Sequence, residues 1–197
     1  MTTIDAIVLA GGRASRMGGR DKVMLDIDGK PLLQRAIEAV AEAECRHISV
    51  VGPERKIVLP AGANVQFVRE EPPFSGPVAA IETAVDLGSS DWVLMLASDV
   101  PHIAEVVSLL VEVISAKPDV PAHLIESPDG YLEWLSSAIR RDVLDRELAA
   151  LPDRSVGVRR LFHRIEFVQH ADPRGITRDV DTPEQWDDAK RAWESGV

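Results

Sequence analysis

The stretch IVLAGGRASRMGGRDK, from Ile7 to Lys22, joins an apolar run to a loop rich in glycine and basic residues. Consecutive apolar residues that end at a glycine pair are typical of a strand buried on both faces of a parallel sheet. Glycine lets backbone N–H groups line a concave surface, and such a surface beside cationic side chains binds anions. The stretch therefore predicts a first β-strand followed by an anion-binding loop, with a solvated charged loop as the alternative.

Outward from this stretch, short apolar runs alternate with longer segments of helical periodicity. The patterns predict strands at 6–10, 47–51, 65–68, 92–98, 122–127 and 164–170. They predict helices from 31, at 76–88, at 102–114 and from Pro183 within 181–194, and a run at 133–139 that leads into a charged helical stretch. Alternation of this kind predicts a three-layer α/β domain around a mostly parallel, mixed sheet. A length of 197 residues is consistent with one domain, 1–197.

Composition excludes several classes of function. The chain carries 22 basic and 32 acidic residues, a net charge of −10, which argues against a nucleic-acid-binding face. No long apolar segment predicts a membrane span, so we expect a cytoplasmic protein without a membrane partner. The single cysteine, Cys45, excludes an intramolecular disulfide and a multi-cysteine zinc site.

Two aspartates are expected at the same edge of the sheet as the glycine-rich loop, because ligands bind where parallel strands end. Asp99 follows the most apolar strand and could cap the next helix or bind a metal ion. Asp181 precedes the last helix and could be a turn residue, but the pair favours a Mg²⁺ site. We expect Asp179 to point away from that site. Lys22 and Arg16 suit phosphate oxygens, with solvent exposure as the alternative.

The loop matches neither a P-loop nor the dinucleotide-binding pattern. LAGGRASRMGGRDK (9–22) instead resembles the signature of small-molecule nucleotidyltransferases, and among them the molybdenum cofactor guanylyltransferases. Four further segments occur in the order and spacing of that family: GKPLLQRAI (29–37), FSGPVAAIETAV (74–85), LASDVPHI (96–103) and DVDTPEQW (179–186). The resemblance implies a Rossmann-like nucleotidyltransferase fold that moves GMP from GTP onto the terminal phosphate of molybdopterin, releasing pyrophosphate.

The resemblance also assigns residues to roles. It implies nucleotide binding by Leu9, Ala10, Gly11, Gly12, Lys22, Glu71 and Asp99, catalysis by Arg16, Lys22 and Asp99, and Mg²⁺ binding by Asp99 and Asp181. It divides the domain into a nucleotide-binding half, 1–110, and an acceptor-binding half with the C-terminal helix, 111–197. It further implies transient contact with proteins of cofactor synthesis or with molybdoenzymes.

We expect the acceptor to bind at a basic segment, residues 153–164. Arg154, Arg159 and Arg160 could bind the acceptor phosphate. Tyr131 or Trp134 could stack on a flat ring, although a core aromatic beside a turn is the favoured reading.

Three alternatives stay open. One is a cytidylyltransferase using CTP, against which Gly12 argues, because CTP-using relatives tend to read LAAG where this chain has LAGG. The others are transfer to a different phosphorylated small molecule, and nucleotide binding without catalysis.

Overall fold

The computed structural model describes residues 2–11 and 20–195, so the predicted roles of Gly12 and Arg16 fall outside the described residues. The strands are β1 (Ile4–Leu9), β2 (Asp26–Ile27), β3 (Lys30–Pro31), β4 (Ile48–Val51), β5 (Val65–Val68), β6 (Trp92–Ala97), β7 (Ala122–Glu126), β8 (Leu132–Arg140) and β9 (Val168–Ala171). The helices are α1 (Leu32–Glu42), α2 (Pro77–Val85), α3 (Ile103–Ala116), α4 (Arg141–Ala150) and α5 (Pro183–Ser195), with 3-10 segments at Lys22–Met24 and Val158–Arg164.

The main sheet has the strand order β5-β4-β1-β6-β8-β7-β9. Strands β5, β4, β1 and β6 are parallel, β8 is antiparallel to both β6 and β7, and β9 is parallel to β7. The predicted α/β class with a mostly parallel, mixed sheet is therefore confirmed. Because β1, β4, β5 and β6 run in one direction, the loops that follow them meet at one edge of the sheet.

Helices cover both faces of the sheet and complete the predicted three layers. Helices α1 and α3 pack on one face, and α2, α4 and the Val158–Arg164 segment pack on the other. In β1, Ala6 and Val8 belong to the first core, whereas Ile7 belongs to the second. Burial on both faces explains why this strand is a continuous apolar run rather than an alternating one.

The last helix begins as the sequence predicts. Thr182 Oγ1 accepts a hydrogen bond from Gln185 N at 3.3 Å, and Thr182 N donates to Gln185 Oε1 at 2.9 Å. This reciprocal pair is a capping box, which satisfies backbone donors at the start of α5. Trp186 is buried beside Val180, so the helix also anchors the segment that precedes it.

A buried ion pair lies at the opposite edge, where β1 and β6 begin. Arg141 Nη2 donates to Asp5 Oδ2 at 2.9 Å, while its other nitrogens donate to the carbonyls of Ser90 and Val85. Asp5 also accepts hydrogen bonds from the backbone and hydroxyl of Ser90. A Cβ on Gly88 would lie 2.2 Å from Asp5 Oδ2, so the glycine is required by close packing.

Strands β7 and β9 bring two histidines together. His123 Nδ1 and His170 Nε2 are 3.0 Å apart, and His123 Nε2 lies 3.2 Å from the carbonyl of Lys117. His123 is buried and stacks on Trp92. Burial lowers the pKa of both histidines, and for His123 the neighbouring His170 lowers the pKa further.

The predicted strand at 164–170 is wrong in its first half. Residues 158–164 form a 3-10 segment instead, and the strand occupies only Val168–Ala171. Ile165 is buried against the second core, and its N–H bonds to the carbonyl of Phe162, which ends the 3-10 segment. Across the described ranges, no helix combines the length and the apolar character needed to cross a bilayer.

Candidate active site

A lysine and three aspartates meet at the carboxyl edge of the sheet. Lys22 lies in the 3-10 segment after the glycine-rich loop, Asp99 lies two residues beyond β6, and Asp179 and Asp181 precede α5. A backbone hydrogen bond from Val180 N to the carbonyl of Asp99, at 3.1 Å, joins the last two loops. Residues separated by more than 150 positions in the chain are thereby brought into one cluster.

The lysine ammonium lies between two carboxylates. Lys22 Nζ is 2.7 Å from Asp181 Oδ1 and forms a second ion pair with Asp99 Oδ2. Burial of the ammonium lowers its pKa, but the charges and hydrogen bonds of Asp99 and Asp181 outweigh this effect, so the pKa of Lys22 is raised. The side chain therefore carries a full positive charge at neutral pH.

Asp179 belongs to the cluster, so the expectation that it points away is wrong. One carboxylate oxygen each from Asp99, Asp179 and Asp181 lies within 4.8 Å of the others. Val180 between them is buried, and alternate residues of an extended segment share a face, so Asp179 and Asp181 point to the same side. The D-V-D pattern, with the apolar Val180 between the two aspartates, is enough to predict that Asp179 and Asp181 lie on the same side.

Asp99 does not cap the helix that follows it. Helix α3 begins at Ile103, and its N-cap residue is His102, without a capping side-chain hydrogen bond. The alternative role weighed from the sequence is therefore excluded. Asp99 Oδ1 is buried and has no hydrogen-bond partner among the described residues, which is costly for a carboxylate oxygen.

The cluster fits a divalent cation. Desolvation raises the pKa of Asp179, and the charges of Asp99 and Asp181 raise it further. Three carboxylates held this close are destabilised by mutual repulsion, and a hard cation that prefers oxygen ligands would relieve it. The partnerless Oδ1 of Asp99 also offers a ligand atom. Asp99, Asp179 and Asp181 are therefore the residues that could hold such an ion.

The first strand ends at this edge, where Ala10 and Gly11 follow it. The carbonyl of Leu9 accepts hydrogen bonds from Ser98 N and Ser98 Oγ, and Ala10 N donates to the carbonyl of Val51. A Cβ on Gly52 would lie only 2.7 Å from the carbonyl oxygen of Ala10. Glycine at position 52 therefore permits the end of β4 to lie close to Ala10. Both Ser98 and Gly52 were missed from the sequence.

Gly11 differs from Gly52. Among the described residues, a Cβ on Gly11 would meet only the carbonyl oxygen of Val51, at an ordinary contact distance of 3.8 Å. The described part of the fold therefore does not require glycine at this exposed position.

Two predicted residues are not placed at the cluster by the described contacts. Glu71 lies on the exposed loop after β5, and no hydrogen bond or ion pair within 2–11 and 20–195 links it to the aspartates. Arg154 donates from Nε to Glu82 Oε1 at 2.7 Å and from Nη1 to the carbonyl of Leu151. Arg154 is thus held against α2.

Two cavities extend from the cluster between β8 and the Val158–Arg164 segment. The inner cavity, about 370 Å³, contains Asp179 in its wall, together with Ala97 and Val100 at the end of β6, Glu133, Trp134, Leu135, Ser136, Gly157, Val158, Arg159 and Thr177. The outer cavity, about 840 Å³, is lined by Gly130, Tyr131, Leu132, Trp134, Gly157, Arg159, Arg160, Phe162, His163 and Phe167. Arg159 and Trp134 line both cavities.

The side chains of these cavities combine cations with aromatic rings. Arg159 and Arg160 are exposed, and neither forms an ion pair with any residue that the structure describes. Trp134 packs on Phe162 with ring centroids 5.3 Å apart, so it is both a packing residue and part of the wall. Tyr131 is 72% exposed and is therefore not the core aromatic that the sequence favoured.

Proteins built on open, largely parallel α/β sheets bind their ligands beyond the carboxyl ends of the strands, which is where this structure gathers a lysine and three carboxylates. The sequence profile of the MobA-like NTP transferase domain matches residues 6–171. A molybdenum cofactor guanylyltransferase from Shewanella amazonensis is 30% identical over 193 residues, which cover 96% of each chain. The chain belongs to the MobA-like NTP transferase family.

Solved structures share the fold. Rv0371c from Mycobacterium tuberculosis superimposes with a TM-score of 0.75 at 21% identity, covering 97% of this chain and 99% of that one. A complex of Rv0371c with manganese gives a TM-score of 0.73, covering 96% and 98%. Molybdopterin-guanine dinucleotide biosynthesis protein A from Archaeoglobus fulgidus gives 0.68 at 20% identity, covering 97% and 99%.

Proposed function

We propose that this protein transfers GMP from GTP to the terminal phosphate of molybdopterin and releases pyrophosphate. The observation that carries the proposal is the cluster of Lys22 with Asp99, Asp179 and Asp181 at the end of the parallel strands. The name of the Shewanella relative, which is similar along nearly the whole chain, supports the same reaction.

The reaction is an in-line displacement at phosphorus. An oxygen of the acceptor phosphate forms a bond to the α-phosphorus of GTP, and the bond from that phosphorus to the bridging oxygen breaks. Pyrophosphate leaves with the bonding electrons. Positioning and electrostatic stabilisation account for most of catalysis in such transfers. Lys22, a compact cation on a partly buried stem, would bind an oxygen of the triphosphate and of the departing pyrophosphate.

A divalent cation, Mg²⁺ in our proposal, would be held by Asp99, Asp179 and Asp181 and would neutralise charge on the phosphate oxygens. The manganese complex of the structurally similar Rv0371c supports a divalent ion in this fold. Asp99 and Asp181 would also orient Lys22, because its ammonium contacts both carboxylates.

We assign the two halves of the single domain to the two substrates. Leu9, Ala10 and Gly11 lie on the side where the nucleotide would bind, and glycine at position 11 would let the ribose and base approach the backbone closely. Arg159 and Arg160, without carboxylate partners in the described ranges, would bind the acceptor phosphate. Trp134 would present a flat wall to the acceptor ring.

The assay combines GTP or CTP with Mg²⁺ and molybdopterin, and measures pyrophosphate release and the dinucleotide product. Release with GTP in preference to CTP supports the proposal. A preference for CTP would exclude the guanine assignment while retaining the reaction class. Tight GTP binding without pyrophosphate release, with molybdopterin or any other phosphorylated acceptor, would show a binding protein instead.

Two variants test the site itself. Asp99→Asn should lower kcat by about a hundredfold or more, as the loss of one electrostatic group in an active site commonly does, while the fold persists. Asp142→Asn, at an exposed aspartate paired with Arg140, is the charge-matched control and should be fully active. Gly11→Ala should fold, since the added Cβ meets only an ordinary contact, and should raise the KM for GTP.

A further inference from the structure

Strand β8 carries a large bulge beside the candidate active site. Leu124 of β7 pairs with Ser137 of β8, but the next residue, Ile125, pairs with Glu133. Residues 134–136 therefore have no partners on β7, and Ser137 Oγ closes the bulge by donating to the carbonyl of Trp134 at 2.8 Å. Bulges redirect side chains and are frequent next to active sites.

The bulge builds one wall of the inner cavity. In a regular strand, successive side chains point to opposite faces. Here four successive residues, 133–136, line the same cavity, which also contains Asp179 of the aspartate cluster and Arg159. The irregular backbone thus brings Glu133 next to the place where the acceptor must meet the nucleotide.

Among the described residues, Glu133 has no cationic partner. Its side chain is partly buried, and it forms no hydrogen bond or ion pair with any residue in 2–11 or 20–195. Burial, and then the charges of Asp179 and Asp172, raises the pKa of this carboxyl group. A carboxylate in such a position is unfavourable in the protein alone. The cation in the same wall, Arg159, is exposed and does not pair with it.

We propose that Glu133 determines specificity for the acceptor by accepting hydrogen bonds from adjacent N–H groups on the acceptor's ring system. This inference rests on the proposed function, in which Arg159 binds the acceptor phosphate. A carboxylate and two neighbouring N–H donors, as in an amino-substituted nitrogen heterocycle, form a bidentate pair. An acceptor that presents no pair of adjacent donors to Glu133 lacks this interaction, so Glu133 favours acceptors that carry such a pair.

Two side chains that line one small cavity would therefore recognise two parts of the acceptor. Arg159 provides positive charge for the phosphate, and Glu133 provides acceptor oxygens for the N–H edge. Glu133 is partly buried, and a substrate that lacks the matching donors would leave its carboxylate without hydrogen-bond partners. Trp134, which follows Glu133, lines the same cavity and would contribute a flat surface.

The test compares Glu133→Gln and Glu133→Ala with wild type in the pyrophosphate assay with GTP, Mg²⁺ and molybdopterin. Both variants should raise the KM for molybdopterin about tenfold or more, the size of one lost charged hydrogen bond, while kcat and the KM for GTP change little. Glu166→Gln, at an exposed glutamate outside both cavity walls, is the matched control and should behave as wild type. Thermal unfolding of each variant checks its fold.

The outcomes separate this inference from the proposed function. Wild type that is inactive with molybdopterin overturns both. Active wild type, with an unchanged KM for molybdopterin in both Glu133 variants, overturns the role of Glu133 alone. A changed dependence on Mg²⁺ concentration at constant KM for molybdopterin would also overturn it, because Glu133 would then act on the cation. A molybdopterin KM raised in the Glu133 variants and not in Glu166→Gln supports the inference.

Discussion

Replacing Lys22 with methionine should strengthen the binding of a divalent cation to the nucleotide-free protein. The ammonium of Lys22 contacts carboxylate oxygens of both Asp99 and Asp181, which are two of the three candidate ligands. A metal ion that uses these oxygens must displace the lysine from at least one of them. Methionine keeps the length of the apolar stem but removes the competing charge.

The magnitude follows from the contact that is lost. A hydrogen bond between charged groups has a net value of about 1.5–3 kcal/mol. Lys22 and Asp99 are both mostly buried, with side-chain exposures of 19% and 14%, so solvent screens this pair less than a surface pair. If the metal displaces the lysine from one carboxylate, Lys22→Met should lower the metal Kd by about ten- to a hundredfold.

The assay is titration of the nucleotide-free protein with Mn²⁺, followed by the electron paramagnetic resonance signal of the unbound ion. The same variant should weaken GTP binding, because the cation for the triphosphate is lost, and these opposite changes exclude general misfolding. Lys30→Met removes the Lys30–Glu38 ion pair on the surface and should leave both affinities unchanged. An unchanged or weaker Mn²⁺ affinity in Lys22→Met would refute the competition between lysine and metal.

Two further predictions concern stability. Arg141→Met leaves the carboxylate of Asp5 buried without its cation, so the free energy of unfolding, measured in urea, should fall by about 3 kcal/mol or more. Arg140→Met, at an exposed ion pair, should lower it by less than about 1 kcal/mol. Equal losses in the two variants would contradict the conclusion that burial makes the Asp5–Arg141 pair the more important one. The pKa values of His123 and His170 are lowered in the folded state, so the stability they contribute is present above about pH 6.5 and is lost as the pH falls further. The free energy of unfolding in urea should therefore change less between pH 7.5 and pH 5.5 in His123→Gln than in wild type. An identical change in both proteins would contradict a contribution of His123 to the pH dependence of stability.

Much of the fold was predictable because local signals and tertiary burial agree. The run at β1 is apolar because both faces of the strand are covered, and the capping box at Thr182 sets the start of α5 in sequence and structure alike. Asp99 was identified because a charged residue directly after a buried strand needs a compensating partner. These features depend on residues close in the chain, which a sequence pattern can display.

The residues that were missed depend on pairing between distant segments. The bulge of β8 is visible only in its register against β7, where residues 134–136 have no counterpart, and so the position of Glu133 could not be inferred. Gly52 resembles any loop glycine until β4 is placed against Ala10. Asp179 is the exception, since the two-residue period of an extended segment places it beside Asp181.

Asp179 connects the two halves of the candidate site. It belongs to the carboxylate cluster and also lines the inner cavity with Glu133 and Arg159. An in-line displacement requires the attacking oxygen and the departing group on opposite sides of the phosphorus. If the cluster holds the metal–triphosphate, an acceptor phosphate bound at Arg159 approaches from the cavity side, with Asp179 at the boundary. In the proposed reaction, Lys22, Arg159 and a cation held by the three aspartates would therefore bring two anionic substrates together at this one edge of an acidic protein.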